Sequence, residues 1–218
     1  EKEITFRFLK ARKKDGFLNV ISIFSFIGIS LGVAVLIIVM SVMNGFRAEL
    51  INKILGFNPH ITVKTYGSPI DEKKINKKIL ESISANIIFS NSGEAIILKN
   101  DTSKGILLRG YKNDDFSGLE IVKNEKFKGK KDQLNINFIS VGNELSFSLD
   151  LKIGDELTLL SPSGVETIIG SMPKQKTFLV TSIYNSGLAE FDNNVAFINL
   201  RTLEDFFDFK SEDRNLEI

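Results

Sequence analysis

The sequence predicts an α+β domain that follows a single N-terminal transmembrane helix. No charged residue occurs from Gly16 to Phe46, which is longer than the roughly 20 apolar residues that cross a bilayer. The later residues contain short runs with strand patterning, joined by turns in some places and by single helices in others. This order favours α+β over a regular βαβ repeat. We therefore divide the chain into a leader (1–16), a transmembrane helix (17–46) and a domain (47–218).

The uncharged run has the composition of a membrane-spanning helix. Ile, Val, Leu, Phe and Met dominate residues 17–43, and the few serines and the asparagine can hydrogen-bond to the preceding turn. A cleaved signal peptide is the main alternative, because basic residues precede the run. The apolar part of a signal peptide spans only about 7–15 residues and ends at a small-x-small cleavage site. The run in this chain is longer and has no such site. We expect the helix to stay attached.

The charges on either side of the run predict its orientation. Arg47 and Lys53 are the only basic residues close behind it, whereas the leader is rich in them. The basic residues of the leader are Lys2, Arg7, Lys10, Arg12, Lys13 and Lys14. The positive-inside rule places the N-terminus in the cytoplasm and residues 47–218 outside it. The leader itself is either an amphipathic segment on the inner leaflet or a plain basic flank.

The domain should begin with a helical extension of the membrane helix. Gly56 and Pro59 are expected to end that extension. A strand is predicted over 60–66, and a helix from Asp71 on the four-residue spacing of isoleucines up to residue 83. Further strands are expected near residues 95–98, 105–110, 138–141, 156–160, 177–184 and 195–198, and helices at 143–149 and 201–207.

The residue types argue against an enzyme, a cofactor site or a metal site in this chain. The formal charge is only +1 and cysteine is absent, so neither a nucleic-acid partner nor thiolate chemistry is expected. The lone histidine, His60, cannot form a metal cluster or a triad by itself. Asp114–Asp115 and Asp155–Glu156 are adjacent pairs, for which we expect turns or a solvated edge.

The stretch from Gly164 to Lys176 is predicted to form a protruding hairpin arm. Proline fixes its own φ and cannot donate to a sheet, so Met172 and Pro173 should form an apolar tip on a stiff turn. The flanking lysines should keep that tip soluble. Such an arm suits a partner protein, and a plain surface loop is the alternative that the residues alone leave open.

Two glycines in the membrane run suggest a helix-packing face. Gly28 and Gly32 form a G-x-x-x-G spacing, which lets another helix approach closely. The partner helix would come from outside this chain segment.

Several motifs together resemble one family of membrane proteins. The runs VISIFSFIGISLGV (20–33) and SVMNGFRAEL (41–50) are similar to the N-terminal signature of the lipoprotein-releasing ABC transporter permeases, the LolC/LolE family. Further similarity lies in residues 141–145, 149–155, 172–178 and 187–192, whereas residues 91–133 resemble the family least. The chain starts with Glu rather than Met, so we interpret it as part of a longer protein.

The resemblance implies a specific architecture and a set of partners. Permeases of this family have four transmembrane helices in the bacterial inner membrane, with a large MacB-like periplasmic domain between the first two. They act with a cytoplasmic ATPase subunit, a second permease that is homologous or identical, and a periplasmic lipoprotein carrier. Their substrate is an acylated lipoprotein taken from the membrane lipid. The permease itself would be non-catalytic and without a cofactor.

The resemblance also implies roles for individual residues. The outer end of the membrane helix, here Met40, Met43 and Phe46, corresponds to the part that faces the lipoprotein acyl chains. A proline-bearing hook that grips the carrier corresponds to Gly170, Ser171, Met172, Pro173, Lys174, Gln175 and Lys176. Whether the chain is of the LolC, LolE or hybrid type stays open.

Two other classes share parts of this plan. A macrolide-efflux or cell-division type of permease has the helix and the domain but needs no prolyl hook. A single-span anchored periplasmic sensor needs no further helices. More apolar spans downstream in the gene would exclude the sensor.

Overall fold

A computed structural model describes residues 2–4, 16–56, 58–64, 86–99, 102–131, 134–167 and 170–218. The chain divides into two compact units, Glu1–Asn52 and Lys53–Ile218. Each unit is described by itself below. The helix predicted over residues 71–83 and most of the leader lie outside the described residues.

One long helix, α1, spans Gly16–Leu55. Its 40 residues correspond to about 60 Å at 1.5 Å per residue, roughly twice the thickness of a hydrocarbon core. An 18-residue window within Val20–Leu55 reaches a mean hydropathy of 2.8 and is exposed throughout. By length and composition this helix can cross a membrane. It ends directly before Gly56, as the sequence predicts.

The strands of the described residues are β1 (Thr62–Val63), β2 (Ile88–Lys99), β3 (Thr102–Tyr111), β4 (Lys128–Gly129), β5 (Phe138–Gly142), β6 (Glu156–Thr167), β7 (Gly170–Tyr184), β8 (Val195–Asn199) and β9 (Asn215–Glu217). Six of them pair in a closed ring. The order is β2–β3–β8–β5–β7–β6, and β6 pairs with β2 again. The pairs β3/β8 and β5/β7 are parallel, and the other pairs of the ring are antiparallel.

Short helices connect and cover these strands. They are α2 (Asn113–Gly118), α3 (Glu120–Lys123), α4 (Asn143–Ser148), α5 (Ala189–Asn194) and α6 (Leu200–Phe207), followed by a 3₁₀ turn at Ser211–Asp213. The start of α6 is capped by Asn199, whose side chain accepts a hydrogen bond from the Arg201 N–H at 3.0 Å. Helices and a mixed sheet in one unit confirm the predicted α+β class.

The apolar side chains of the domain form two clusters. The larger cluster takes residues from all six ring strands together with α4 and α6. Within it, the rings of Phe178 and Phe206 meet edge to face at 6.4 Å. The second cluster lies around Phe197 and Tyr184, whose ring centroids are 5.0 Å apart, and includes residues of α2 and α3.

Most of the predicted elements are found, with one correction. Each predicted strand core from residue 95 onwards lies in a strand, and the helices near 143–149 and 201–207 are present. The strand predicted over 60–66 is only Thr62–Val63 among the described residues. The pair Asp114–Asp115, predicted in a turn or on a solvated edge, lies in the first turn of α2 with Asp114 exposed, where the helix dipole favours carboxylates.

Candidate arm and membrane helix

Strands β6 and β7 continue as a two-stranded ribbon beyond the ring. The last β6 residue that pairs with β2 is Leu160, and β7 first pairs with β5 at Leu179. Between these points β6 and β7 pair with each other, from Gly164 opposite Pro173 to Thr167 opposite Gly170. We call the described residues 164–167 and 170–176 the arm. The predicted hairpin is therefore present.

The register of the arm corrects the predicted position of its tip. Met172 lies opposite Val165 and Pro173 lies opposite Gly164, so both belong to a strand rather than to the turn. The turn falls between Thr167 and Gly170. The φ of Gly170 is +121°, a conformation that favours glycine because it has no Cβ. Pro173 predicts a turn at its own position, but proline is also tolerated at the edge of a sheet.

An irregularity in pairing separates the arm from the ring. Leu160 lies opposite Gln175, and the next pair is Gly164 with Pro173. Residues 161–163 thus face the single residue Lys174. Such a bulge bends a strand and can redirect it, which explains how the arm departs from the sheet.

The arm exposes an apolar side chain on one strand and turns its lysines back to the domain. Met172 is 56% exposed, and Gly170, Pro173 and Gln175 are also exposed. Lys174 and Lys176 are half-buried. Ser171 pairs with Glu166 through the backbone.

Both lysines have partners in the folded domain. The Nζ of Lys174 lies 2.5 Å from Oδ1 of Asp208, the residue that ends α6 in a left-handed conformation. The Nζ of Lys176 lies 5.6 Å from the ring centre of Phe178, within the range of a cation–π contact. These contacts fix the base of the arm. Asp208 is not predicted from the sequence, because nothing in its local sequence indicates a partner 34 residues away.

The predicted residues of the membrane helix are exposed in this unit. Met40, Met43 and Phe46 are 63%, 61% and 62% exposed. Their spacing of three residues places them on neighbouring parts of one helix face. At Gly28 and Gly32 an added Cβ would have no atom within 4 Å, so the described residues leave this face open to another helix.

Residues 187–192, one of the segments that are similar to the LolC/LolE family, contain a buried carboxylate. Asp192 is 2% exposed and accepts hydrogen bonds from the N–H of Ser186 at 3.0 Å and its hydroxyl at 2.6 Å. Burial raises the pKa of Asp192, although the hydrogen bonds from Ser186 oppose the shift. The contacts hold the turn before α5. The described residues contain no group of three or more potential metal ligands.

Residues 22–217 match the family model of the MacB-like periplasmic core domain. The chain belongs to this family. The match covers nearly all of the long helix and the domain, so the predicted MacB-like fold is confirmed.

Two relatives of this MacB-like chain agree with the resemblance derived from its motifs. It is 27% identical over 205 residues to the "Lipoprotein-releasing system transmembrane protein LolC" of Xylella fastidiosa strain Temecula1, covering 92% of this chain and 49% of that protein. It is 26% identical over 224 residues to the LolE protein of Haemophilus influenzae, covering 96% and 52%. The resemblance to LolC/LolE-type permeases is therefore confirmed. The chain spans about half the length of these relatives.

One solved structure is similar over much of the MacB-like chain. The extracellular domain of the noncanonic ABC-type transporter YknZ from Gram-positive bacteria gives a TM-score of 0.40 at 10% identity, covering 72% of this chain and 83% of that one.

Proposed function

We propose that this chain is the N-terminal half of a permease subunit that releases lipoproteins from the bacterial inner membrane. The complex passes them to a periplasmic carrier, and a separate cytoplasmic ATPase subunit supplies the energy. The names of the relatives support the lipoprotein-releasing role, and the family match supports a periplasmic domain. The permease itself carries out no covalent chemistry.

The observation that carries this proposal is the arm. It pairs only with itself between the ring and the turn, among the described residues, and so presents a strand face away from the sheet. Met172 is flexible and polarisable, which suits an apolar surface of variable shape. Pro173 limits the backbone of the same strand. A preorganised apolar element loses little entropy on binding, so residues 170–176 are the carrier-binding hook of this proposal.

The membrane helix has a second role in the proposed mechanism. Removing an acyl chain from a bilayer costs about 0.8 kcal/mol per buried CH₂, so release needs both an energy source and an apolar surface that receives the chains. Met40, Met43 and Phe46 form such a surface on the helix. Gly28 and Gly32 would pack against a helix of the partner permease or of the remaining part of this protein.

The hook is tested by removing its two apolar features together. The full-length protein carrying Met172→Asp and Pro173→Gly is compared with the wild type for retention of the periplasmic carrier in a pull-down. We expect a clear loss of binding, because a charge replaces the exposed apolar group and the strand becomes more flexible. Unchanged binding would remove the hook assignment.

A matched control places the same charge elsewhere on the domain. Phe147 of α4 is 85% exposed and lies outside the arm, so Phe147→Asp removes an exposed apolar group without touching the hook. Carrier binding should be retained in this variant. Equal losses in both variants would point to a general effect of surface charge and not to the hook.

The helix surface is tested by photo-crosslinking. A photoreactive residue at Met43 should crosslink to an acylated lipoprotein when the complex is loaded in a membrane. A lipoprotein that lacks its acyl chains is the control and should not crosslink. Equal crosslinking of both forms would argue against acyl-chain contact at this position.

A further inference from the structure

A buried carboxylate lies where the C-terminal strand joins the sheet. Glu217 of β9 is 8% exposed and accepts three hydrogen bonds. The donors are the Ser90 hydroxyl at 2.5 Å, the Tyr111 hydroxyl at 2.9 Å and the Arg109 guanidinium at 3.4 Å. Ser90 belongs to β2, and Arg109 and Tyr111 belong to β3. The carboxylate therefore ties β9 to the first two strands of the ring.

The same arginine reaches the segment that follows α1. Arg109 Nη1 donates to the side-chain oxygen of Asn58 at 3.1 Å. Further along, Ile61 and Ile218 exchange two backbone hydrogen bonds at 3.0 and 2.9 Å. We call residues 58–63 the connecting segment. It is held by a backbone ladder to β9 and by a side-chain bond to Arg109.

The two strands of this ladder are too short to define their register alone. Strand β1 has two residues and β9 has three, and isolated pairs of this size are not stable in water. A buried ion pair adds little net stability, because desolvation offsets its attraction, but losing one partner is costly. Glu217 lies opposite both Thr62 of β1 and Ile88 of β2. A shift in register would leave its charge without these donors.

Strand β2 connects this network to the base of the arm. Near its start, Ser90 binds Glu217. Near its end, Ile96 pairs with Leu160, the last β6 residue that pairs with β2 before the bulge at the base of the arm. The two positions are six residues apart, about 20 Å along an extended strand. A single continuous strand thus joins the connecting segment to the root of the hook.

We propose that Arg109 and Glu217 are positioning residues that lock the connecting segment to β2 and β3, so that a displacement of this segment is transmitted along β2 to the arm. That such a displacement comes from an ATP-driven movement rests on the proposed function. The locking itself depends only on the contacts described above. The proposal therefore has a structural part and a functional part that can be tested separately.

The structural part is tested by distance measurement. Residues 1–218 contain no cysteine, and any cysteine in the rest of the full-length protein is first replaced by serine. Spin labels are then placed at His60→Cys in the connecting segment and at Asp150→Cys in the body of the domain. Both residues are exposed. In the full-length protein in lipid nanodiscs, pulsed electron paramagnetic resonance should give one narrow distance peak. Arg109→Met should cause loss of that narrow peak, and so should Glu217→Gln. A peak of unchanged width in both variants would overturn the proposal.

A matched control removes an ion pair that lies away from the connecting segment. Lys99 and Asp155 form a partly exposed pair at 3.4 Å, and Lys99→Met should leave the narrow peak unchanged. Thermal unfolding of each variant shows whether the domain is still folded. Broadening in the Lys99 variant as well would mean that the effect is not specific to Arg109, and it would also overturn the proposal.

The functional part is tested by restoring the lock with a covalent bond. Ile61 and Ile218 are a directly opposed pair, and such pairs lie within the Cα separation that a disulfide allows. Arg109→Met should lose lipoprotein release to the carrier while ATP hydrolysis continues, and oxidised Ile61→Cys/Ile218→Cys should restore release in that background. Release that is unaffected by Arg109→Met would overturn the role in transmission. If the wild type itself releases no lipoprotein, the proposed function fails, while the distance measurement still decides the structural part.

Discussion

Lys174 of the arm forms an ion pair with Asp208 at the end of α6, with 2.5 Å between Nζ and Oδ1. Asp208 has a φ of +56°, a conformation that aspartate and asparagine tolerate better than most residues. Its side chain is 69% exposed, whereas that of Lys174 is 23% exposed. The pair therefore connects the arm to a helix that packs in the core.

Asp208→Asn should weaken carrier binding without unfolding the domain. Asparagine keeps the left-handed conformation but removes the charge, and exposed pairs contribute about 0.2–1 kcal/mol. If this energy helps to hold the arm in its binding orientation, affinity should fall by a factor of about 1.5 to 5. Isothermal titration calorimetry of the full-length protein with the carrier measures this affinity. An affinity equal to that of the wild type would mean that the pair does not orient the arm.

Gly142→Ala should strongly destabilise the domain. A Cβ at Gly142 would overlap the backbone of Asp192, whose Cα would be only 2.6 Å away, and backbone cannot move aside as a side chain can. Overpacking of this kind typically costs about 1–3 kcal/mol and sometimes more. Urea unfolding measures the change in the free energy of unfolding. Gly105→Ala is the matched control, because no atom lies within 4 Å of its Cβ position. Equal stability of the two variants would contradict the contact.

Asp192 should make the domain less stable as pH rises above its ordinary titration range. Burial raises the pKa of Asp192 above 3.8 in the folded state. Between the pKa of the unfolded chain and that of the folded protein, the folded protein therefore binds more protons than the unfolded chain. The free energy of unfolding then falls with rising pH across this window. Asp192→Asn should lack this component. Urea unfolding over a series of pH values compares the two proteins, and parallel curves would refute the assignment.

Asp155 should act in the opposite direction and serves as a comparison. The Lys152 backbone N–H donates to its carboxylate at 3.2 Å, and Lys99 lies nearby. These contacts lower the pKa of Asp155 below 3.8. The ionised form is favoured in the folded state, so its contribution is present above that value and is lost as pH falls through the folded pKa. Asp155→Asn should reduce acid sensitivity, and a steeper loss in acid would be inconsistent with these contacts.

Residue Asp150 should lie outside the cytoplasm. Residues 1–218 contain no cysteine, so after replacement of any cysteine in the rest of the protein, Asp150→Cys can be labelled with a membrane-impermeant maleimide in cells whose outer membrane is permeabilised. The basic leader predicts a cytoplasmic N-terminus, so Lys2→Cys should react only after lysis. Reaction of Asp150→Cys only after lysis would reverse the proposed topology.

Local patterns in the sequence predict those elements that depend on local interactions. Local sequence is enough to predict the long apolar helix α1, its end before Gly56 and the helix α6. All three agree with the structure. The sequence also predicts the hairpin, because its two strands are neighbours in sequence. The exact turn was not, since Pro173 fits both a turn and a strand edge.

Long-range features left no signal that one sequence could reveal. Strand β9 has only three residues, and its pairing with β1 and β2 defines it as a strand. Glu217 and Arg109 are 108 residues apart, and Asn58 resembles any polar residue beside a proline. The helices α2, α3 and α5 have six residues or fewer, which leaves little of a helical period to recognise, although the equally short α4 is predicted.

Closure of the sheet also affects the tendency of the domain to aggregate. Unpaired strand edges promote aggregation, and proteins limit this risk by closing sheets or keeping edge strands short. Here the strands at the two ends of the order, β1 and β4, have two residues each. Among the described residues, closure of the ring and these short end strands limit intermolecular strand pairing of the sheet, which leaves the arm as the ribbon whose strand edges are open to a partner.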